Sequence, residues 1–539
     1  MGNNHKYLTA IGLWNNIPLQ FKRQVAVLVS NVFSFATNGI KAFPVNVESD
    51  ISRGLPDFEI IGLGDASIKE SRKRIWTAIK NQCFDFPVGK VIINLAPASM
   101  RKVGTTLDLA IAISILTASG VVKPEMLKDT ALVGELSLEG NLLPVKGILP
   151  MVEEGKKNGV KRFIIPRANV PEGGIVKDVN ICGVSNLRQA VAILSDGEKG
   201  VYTGEGITSM PELSDINFEF DFGQIAGQHE CKRALEIAVS GCHNIIMLGS
   251  AGSGKSLLAS CVQGIMPPMD YDESYENTAI YSIAGKLEHQ SPLSSERPFR
   301  RVHGSVTLRG LTGGGRPVRF GEVTLANNGV LFFDEITEAD RRVVEALREP
   351  LENRTICLSS LGVSETLPAD FLFVAAGNPC KCGRLFEGDR NCSCNKAQIK
   401  SRLEKLSLPL LERIDMHLIV RGVGFRDMSE NIREESSSEI RKRVIKVRTM
   451  QKERYKGESF STNGRMNRQA IEKYCSLSRD SLEFAEEAVK KLNLSMRSFD
   501  RLLRVSRTIA DMEESLTVQQ HHLAEAFQYR AIENVREYM

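Results

Sequence analysis

The sequence predicts a multidomain α/β protein with a parallel-sheet core and an all-α C-terminal part. Three observations lead to this prediction. A strand, a glycine-rich loop and a helix follow one another around residues 245–257. Strand and helix patterns alternate from Val27 to about Leu194, and the chain is helical and highly charged from Met428 onward. A chain of 539 residues is too long for one core, so three or four domains are expected.

The composition is that of an ordinary soluble protein, with 69 basic and 65 acidic residues. A net charge of +4 means that any DNA contact must come from local patches. Eleven cysteines, four of them clustered, fit a reducing compartment better than a disulfide scaffold. The first 30 residues lack the pattern of a signal peptide, and the longest apolar run, Leu109–Leu116, is too short to span a membrane. We therefore expect a cytoplasmic protein without a membrane partner.

The glycine-rich loop matches the phosphate-binding pattern G-x4-G-K-[ST] in its strand-to-helix context. Its glycines allow backbone N–H groups to surround phosphates, Lys255 neutralises phosphate oxygens, and the Ser256 hydroxyl can ligate Mg²⁺. A glycine-rich turn with a chance lysine is the alternative. We predict ATP and Mg²⁺ as cofactors. The predicted binding residues are Gly249, Ser250, Ala251, Gly252, Ser253, Gly254, Lys255, Ser256 and Leu257.

Two further apolar strands end in polar residues. The first ends in Asp334 and Glu335, and the second, Phe371–Gly377, is followed by Asn378. Asp334 is predicted to hold Mg²⁺ and Glu335 to polarise the attacking water. Asn378 fits a first sensor that orients this water. A strand that ends in two acids is common, but together with the phosphate loop it indicates ATP hydrolysis.

The stretch between these motifs contains a basic, glycine-rich insert at 297–322. We interpret this insert as a hairpin-like loop that reaches into a central pore. Its arginines would suit a nucleic-acid phosphate backbone, and a solvated loop with scattered charge is the alternative. The predicted DNA contacts are Arg300, Arg301, Arg316 and Arg319, with Arg309 beside them.

Four cysteines lie on the loop 380–394, at positions Cys380, Cys382, Cys392 and Cys394. Two close thiol pairs can form a tetrahedral, four-thiolate zinc site with a structural role. Free thiols and disulfides are the alternatives.

Several basic residues outside these motifs have two interpretations. Arg413 stands where ring ATPases carry an arginine finger, which predicts a homo-oligomer; a surface ion pair is the alternative. Arg497 lies near the start of a helix and looks like a second sensor, and the arginines that follow on the same face suit either sensing or packing against Glu513 and Glu514. Trp76 and its basic neighbours are interpreted as a solvated helix face, with a binding face as the alternative. These neighbours are Lys69, Arg72, Lys73 and Arg74.

Residues 134–166 resemble the proteolytic domain of Lon-type proteases. Such a domain needs a serine activated by a lysine. Here the serine position falls on Thr106 and the lysine position on Leu149, so the hydroxyl has no base. The resemblance implies a structural or interaction version of that fold.

Together, these residues closely resemble the ComM/YifB family of magnesium-chelatase-like AAA+ ATPases, from about Val27 to the C-terminus. One stretch differs, since residues 300–304 read Arg-Arg-Val-His-Gly where the family commonly has Arg-Ser-Pro-His-His. The matching stretches are Asp50–Pro56, Asn94–Ala98, Arg297–Arg300, Gly313–Gly315, Asn378–Cys380 and Arg504–Asp511.

Residues 1–26 show no clear pattern and stay an unassigned arm, and the polar, glycine-rich residues 196–220 are predicted to form a linker. The resemblance implies a Lon-like domain at 27–195. An AAA+ ATPase domain at 221–425 then carries the insert and the cysteine loop, and a helical lid follows at 426–539. It also implies a hexameric, ATP-driven helicase that acts on single-stranded or branched DNA and promotes branch migration during natural transformation. The rivals are a chelatase-like ATPase that remodels a protein partner and a scaffold that binds ATP without turnover.

Overall fold

The computed structural model describes residues 30–102, 104–196, 202–203, 218–287, 293–315, 318–360, 363–387, 392–422, 434–492 and 494–530. These residues form two compact units. The first unit contains the described residues before 210 together with 282–287, and the second contains the others. The predicted arm, Arg316 and the first residues of the predicted lid lie outside the described residues.

The first unit consists of strands and helices that alternate along the chain, as the sequence predicts. Its strands are β1 (Ser30–Asn38), β2 (Lys41–Ser52), β3 (Asp57–Ile61), β4 (Lys90–Ala96), β5 (Thr130–Leu132), β6 (Glu135–Leu136), β7 (Leu142–Leu143), β8 (Arg162–Pro166), β9 (Asn180–Val184) and β10 (Tyr202–Thr203). Its α-helices are α1 (Ala66–Asn81), α2 (Asp108–Ala118), α3 (Ile148–Lys157), α4 (Val170–Gly173) and α5 (Leu187–Asp196).

Eight of these strands form one mixed sheet in the order β10-β9-β8-β5-β1-β2-β4-β3. β1, β2 and β4 pair antiparallel, whereas β3 lies parallel to β4 at one edge. β6 and β7 form a separate short hairpin. The interior of β2 alternates between buried and partly exposed residues, because successive side chains point to opposite faces of the sheet.

Helix α2 is the core helix of this unit. Every residue from Asp108 to Thr117 is buried, which explains its unbroken apolar run. The one charge in this run is compensated, because Arg74 Nε on α1 lies 2.7 Å from Asp108 Oδ2. Arg74 therefore points inward, towards the core helix.

The second unit contains the phosphate loop and the C-terminal helices. Its strands are β11 (Ile245–Gly249), β12 (Phe299–His303), β13 (Gly313–Gly314), β14 (Arg319–Phe320), β15 (Val330–Asp334), β16 (Thr355–Ser360), β17 (Val363–Pro368), β18 (Leu372–Gly377) and β19 (Met416–Val420). Its α-helices are α6 (His229–Gly241), α7 (Lys255–Ile265), α8 (Tyr271–Ala284), α9 (Leu308–Thr312), α10 (Glu322–Leu325), α11 (Arg341–Glu345), α12 (Arg348–Asn353), α13 (Lys396–Leu403), α14 (Leu408–Leu411), α15 (Ser437–Arg454), α16 (Arg468–Tyr474), α17 (Arg479–Leu492), α18 (Met496–Met512) and α19 (Gln520–Gln528).

Five strands of this unit form a wholly parallel sheet in the order β12-β15-β18-β11-β19. All residues of β11, β15 and β18 are buried, as expected for strands covered on both faces. Because parallel strands end at the same edge, the residues that follow β11, β15 and β18 come together there. This edge carries the three predicted motifs.

The C-terminal helices share one hydrophobic core with the parallel sheet. Buried residues of α15 and α18, such as Ile440 and Ile509, belong to the same cluster as Met247 of β11. His243, just before β11, extends this contact, since its Nε2 lies 2.7 Å from Thr508 Oγ1 of α18. No described helix in either unit is both long and apolar enough to cross a membrane.

We expect the free energy of unfolding to decrease as the pH falls from about 6.5 to about 4. Burial lowers the pKa of His243 from its usual 6.5 to about 4. In that window the unfolded chain binds a proton that the folded protein does not bind, so stability rises with pH and is lost on acidification. The expected loss from this group is about 3 kcal/mol.

Urea unfolding of the wild type and of His243→Gln at pH 7 and pH 4.5 measures this effect. The variant should show a smaller difference between the two pH values, with some slope remaining because burial also lowers the pKa of His417. His521→Gln, at an exposed position, is the control. An equal pH dependence in wild type and His243→Gln would contradict the expectation.

Candidate functional site

The phosphate loop connects the end of β11 to the start of α7. Gly252 and Gly254 adopt left-handed φ angles of 79° and 85°, and a Cβ on either would meet no atom within 4 Å. The two glycines thus supply the turn and leave its surface open. Gly249 is required for another reason, because a Cβ there would lie 2.0 Å from the carbonyl oxygen of Val420. The first N–H groups of α7 have no intrahelical partners and can face an anion.

Lys255 begins α7 and folds back over the loop. Its Nζ donates to the carbonyl oxygens of Gly249 and Ser250, at 3.0 and 2.5 Å, and contacts Ser253 Oγ at 3.3 Å. Burial lowers the pKa of Lys255, and the charge of Asp334 acts in the opposite direction. The ammonium therefore lies inside the loop, where phosphate oxygens can replace these neutral acceptors.

Ser256 and Asp334 meet although they lie 78 positions apart in the chain. The Ser256 hydroxyl donates to Asp334 Oδ1 at 3.1 Å. Asp334 is the last residue of β15 and only 7% exposed. A hydroxyl and a carboxylate at the end of a phosphate loop are the hard oxygen ligands that Mg²⁺ accepts, so these residues fit the ion.

The two acids at the end of β15, Asp334 and Glu335, are each paired with a basic residue of β12. Arg301 Nη2 lies 2.7 Å from Asp334 Oδ2, and His303 Nε2 lies 2.8 Å from Glu335 Oε2. From the sequence, Arg301 was predicted to contact DNA, and no role was predicted for His303. The pairing follows from the sheet, because β12 lies beside β15 with His303 opposite Asp334.

Asn378 follows β18 at the same edge of the sheet. Its backbone is fixed by Thr337, whose hydroxyl donates to the Asn378 carbonyl oxygen at 3.0 Å and accepts from the Asn378 N–H at 3.3 Å. The side chain is half-buried. This placement fits the first-sensor role that the sequence predicts.

The four cysteines of the loop 380–394 converge, with all four Sγ atoms within 4.8 Å of one another. Cys380 Sγ lies 3.4 Å from Cys382 Sγ and 3.8 Å from Cys392 Sγ, and the Cys382 N–H donates to Cys394 Sγ. These separations are too long for disulfide bonds of about 2.05 Å, and all four cysteines are free. Four thiols in this arrangement fit a tetrahedral zinc ion.

The cysteine loop touches the phosphate loop through Gly383. A Cβ at this position would lie 2.9 Å from the backbone nitrogen of Ala251, and Gly383 has a left-handed φ of 75°. The Cys382 thiol is stabilised as a thiolate, because backbone N–H donors lower its pKa to about 6. Burial raises the pKa of the Cys380 thiol. Gly383 thus leaves no room for a side chain where the cysteine loop meets the phosphate loop.

Arg413 lies in an open cleft of about 530 Å³. Its Nε lies 3.1 Å from Glu352 Oε2, and its Nη1 donates to the Pro409 carbonyl oxygen at 2.7 Å. Within the subunit this arginine thus makes the ion pair that the sequence analysis weighed as the alternative. The cleft is also lined by Leu308, Thr312, Glu345, Arg348 and Cys357.

Arg497 is the second residue of α18 and is exposed. It makes no ion pair with another described residue. Arg501 and Arg507, further along the helix, pair with Asp415 and Asp511 at 2.8 Å each. The predicted ion pairs of these arginines with Glu513 and Glu514 are wrong, because Glu513 contacts His521 and His522 and Glu514 pairs with Lys446.

The insert at 297–322 contains the short hairpin of β13 and β14 that the sequence predicts. Arg300 is engaged inside the subunit, because its Nε lies 2.6 Å from Glu322 Oε2. Arg309 and Arg319 are exposed. Arg316 lies outside the described residues. Among the described residues of the insert, Arg309 and Arg319 are thus exposed without an ion pair, whereas Arg301 is exposed but paired with Asp334.

A second group of potential metal ligands is formed by Glu513, His521 and His522. His522 Nδ1 accepts a hydrogen bond from the Gln519 N–H at 2.9 Å. Its proton must then lie on Nε2, which faces Glu513 Oε2 at 3.1 Å. A metal at Nε2 would need that lone pair, so this group is a hydrogen-bonded cap.

The parallel sheet, its phosphate loop and the paired acids at one edge define a P-loop ATPase of the AAA+ type. The comparisons with known proteins specify this class further. The family described as magnesium chelatase, subunit ChlI, matches residues 221–428, and the ChlI C-terminal family matches 434–530. A further description, subunit ChlI of Mg-chelatase, matches 47–169.

The full-length relatives agree with these matches. The chain is 37% identical over 510 residues to competence protein ComM of Haemophilus influenzae, which covers 93% of this chain and 97% of the relative. It is 36% identical over 508 residues to uncharacterized protein YifB of Salmonella typhimurium, covering 94% and 97%. A chloroplastic magnesium-chelatase subunit ChlI of Chlamydomonas reinhardtii is 26% identical over 219 residues, 36% of this chain and 52% of the relative. The chain belongs to the ComM/YifB family of magnesium-chelatase-like ATPases.

Proposed function

We propose that this protein is a ring-forming ATPase that couples ATP hydrolysis to movement along DNA. The observation that supports hydrolysis best is the contact between Ser256 and Asp334, with Lys255 in the adjacent loop. In this proposal Lys255 and the loop amides bind the phosphates. Mg²⁺, held by Ser256 and Asp334, neutralises charge on the phosphates. Glu335 accepts a proton from the attacking water.

The roles of the remaining site residues in this proposal are those that the sequence predicts. Asn378 orients the water, and Arg497 reaches the γ-phosphate in cis. Arg413 acts on the nucleotide of the neighbouring subunit, which requires a homo-oligomer and, by the family resemblance, a hexameric ring. To do so, Arg413 must leave Glu352. The proposed location is the cytoplasm.

DNA is proposed as the substrate of the motor on two grounds. The family resemblance implies a branch-migration helicase of natural transformation that acts on single-stranded or branched DNA. The described insert presents Arg309 and Arg319 to solvent, and such arginines suit a phosphate backbone. Arg300 and Arg301 would have to release their carboxylate partners before they could join.

The second candidate is a chelatase-like ATPase that remodels a protein partner. The matches to magnesium-chelatase subunit ChlI over most of the chain favour it. The two candidates differ in the polymer that stimulates hydrolysis.

We expect single-stranded or forked DNA to stimulate ATP hydrolysis several-fold and Arg319→Glu to remove this stimulation. Reversing a phosphate-contacting charge weakens binding to all sequences and lowers the salt dependence by about one ion. Steady-state hydrolysis with and without DNA measures the effect, with Lys255→Ala as the blank. Arg479→Glu, an exposed arginine on α17, is the matched control. Robust hydrolysis that no DNA alters would favour the protein remodeller.

We also propose a structural zinc ion in the cysteine loop. Purified protein should contain about one zinc per chain, and Cys382→Ser should lose it, because four thiolates complete a closed site. Elemental analysis measures the metal, and thermal unfolding should show a lower midpoint in the variant. Cys357→Ser, at an exposed free thiol, is the control. Equal zinc content in both variants would contradict the proposal.

For the N-terminal part, 27–195, we propose a Lon-like fold without a catalytic dyad. Leu149, at the predicted lysine position, is fully buried, and its backbone N–H donates to Glu172 Oε1 at 2.8 Å. No amine can reach Thr106 from there. We likewise retain the linker at 196–220, the ATPase domain at 221–425 and the lid at 426–539 as the proposed division of the chain.

A further inference from the structure

One face of α1 in the first unit carries three lysines around a tryptophan. We call Lys69, Lys73, Trp76 and Lys80 the α1 stripe. Their spacing of four, three and four places them on one side of a helix. All four are exposed, and Trp76 retains 43% of its surface. A large exposed aromatic side chain among like charges is the unusual feature here.

The opposite side of α1 explains why this face is free. The residues that α1 buries against its unit are Ile68, Ser71, Ile75, Ala78 and Ile79. These residues hold the helix in place, so the stripe is not needed for packing. Asp65 caps the helix N-terminus by accepting from the Ile68 N–H at 3.1 Å.

The positive charge of the α1 stripe is not compensated locally. None of its three lysines makes an ion pair with another described residue. The other basic residues of the helix are engaged: Arg74 pairs with Asp108, and Arg72 Nη1 donates to the Phe58 carbonyl oxygen at 2.8 Å. The α1 stripe is therefore a cationic surface that suits an anionic partner.

The tryptophan identifies the type of anion. Lys80 Nζ lies 3.9 Å from the centroid of the Trp76 ring. A nucleobase stacked on an aromatic side chain is generally a stronger contact than an exposed cation–π pair. A base therefore displaces the ammonium from the ring, and Lys80 remains close enough to bind a phosphate of the same strand.

We propose that the α1 stripe binds single-stranded nucleic acid, with a base on Trp76 and phosphates on the lysines. Lys69 and Lys80 are about 16 Å apart along the helix axis, which covers several phosphates of one strand. A single strand is favoured over a duplex because its bases are free to stack. The stripe belongs to the first unit, whereas the insert and the ATPase site belong to the second, so the proposal adds a binding surface to the N-terminal part of the chain.

Fluorescence of Trp76 tests the proposal directly. The chain contains two tryptophans, Trp14 and Trp76, so the full-length Trp14→Phe protein reports on the stripe alone. Titration with a 20-nucleotide oligo-dT should quench this emission. Lys69→Glu/Lys73→Glu should weaken binding by tenfold or more and reduce the salt slope by about 1.4, since each phosphate contact contributes about 0.7.

The matched control is Lys123→Glu/Lys128→Glu, which makes the same charge change at exposed lysines of the same unit. Trp76→Leu, followed by fluorescence anisotropy of labelled oligo-dT, should also weaken binding about tenfold or more, whereas Trp76→Phe should retain part of the affinity because it keeps a stacking ring. Arg319→Glu should leave the quenching intact, so failure of the insert as a DNA contact is distinguishable from failure here.

Three outcomes would overturn the proposal. Equal affinity in the stripe variant and its charge control would show that the stripe does not bind the strand. Quenching by polyglutamate as strong as that by oligo-dT would assign the stripe to an acidic protein surface. Quenching that depends on protein concentration alone would mean that a second copy of the chain covers it.

Discussion

Replacing Glu335 by glutamine should lower kcat for ATP hydrolysis by about 10²–10⁴-fold, the usual contribution of a positioned general base. The amide retains the size of the side chain but cannot accept the proton of the attacking water. ATP binding should change little, since Lys255 and the loop amides are untouched. Single-turnover hydrolysis and equilibrium binding of ATP separate the two effects.

Glu453→Gln, an exposed acid on α15, controls for the loss of one negative charge. The imidazole of His303 contacts Glu335 in the structure, so a substitution of Glu335 also changes this contact. Turnover by Glu335→Gln at the wild-type rate would assign the base to another residue, and equal loss of binding and turnover would indicate a damaged site.

Replacing Arg413 by alanine should reduce hydrolysis by on the order of 10³-fold in the assembled protein, as removal of an arginine finger does. The decisive measurement is a mixing experiment with Lys255→Ala. Each variant alone should be inactive, because every site lacks either the lysine or the arginine. Mixed assemblies contain sites with Lys255 from one subunit and Arg413 from its neighbour, so activity should return in part.

Arg348→Ala, in the same cleft, is the matched control and should remain active alone. No recovery on mixing would place Arg413 in its own subunit's site or in folding, and its pair with Glu352 would then be structural. Glu352→Gln removes the intramolecular partner and should not inactivate the protein if Arg413 acts in trans.

The motifs around the nucleotide could be predicted because each is continuous in the sequence. In each motif an apolar run predicts a buried strand, and the polar residues that follow it predict the site at the end of that strand. The loop that begins at Gly249 and the acids Asp334 and Glu335 are the two examples. The clustering of the four cysteines could be predicted in the same way, from their spacing in the sequence. These segments lie where the sequence places them, at one edge of a parallel sheet.

Pairings between distant segments could not be predicted in this way. The order of the strands sets β12 beside β15, and only this neighbourhood brings Arg301 and His303 to the acids. From the sequence, Arg301 was one of several arginines in a basic insert. Its partner depends on strand order, which no local pattern encodes.

The cluster on α1 shows a second limit. Arg72, Lys73 and Arg74 are consecutive in the sequence, but successive side chains of an α-helix point in directions about 100° apart. Lys73 consequently faces solvent, whereas Arg74 points to a buried carboxylate. The inward direction of Arg74 depends on its contact with Asp108, which lies 34 positions further along the chain.

The pair of Arg301 and Asp334 links the predicted magnesium site to the surface of the subunit. Both oxygens of Asp334 have partners, since Oδ1 accepts from Ser256 and Oδ2 faces Arg301. A cation bound beside Ser256 would share the carboxylate that holds Arg301, and its positive charge would weaken that ion pair. Because Arg301 is already 57% exposed, we expect Mg²⁺ binding to make its charge more available at the surface beside β12.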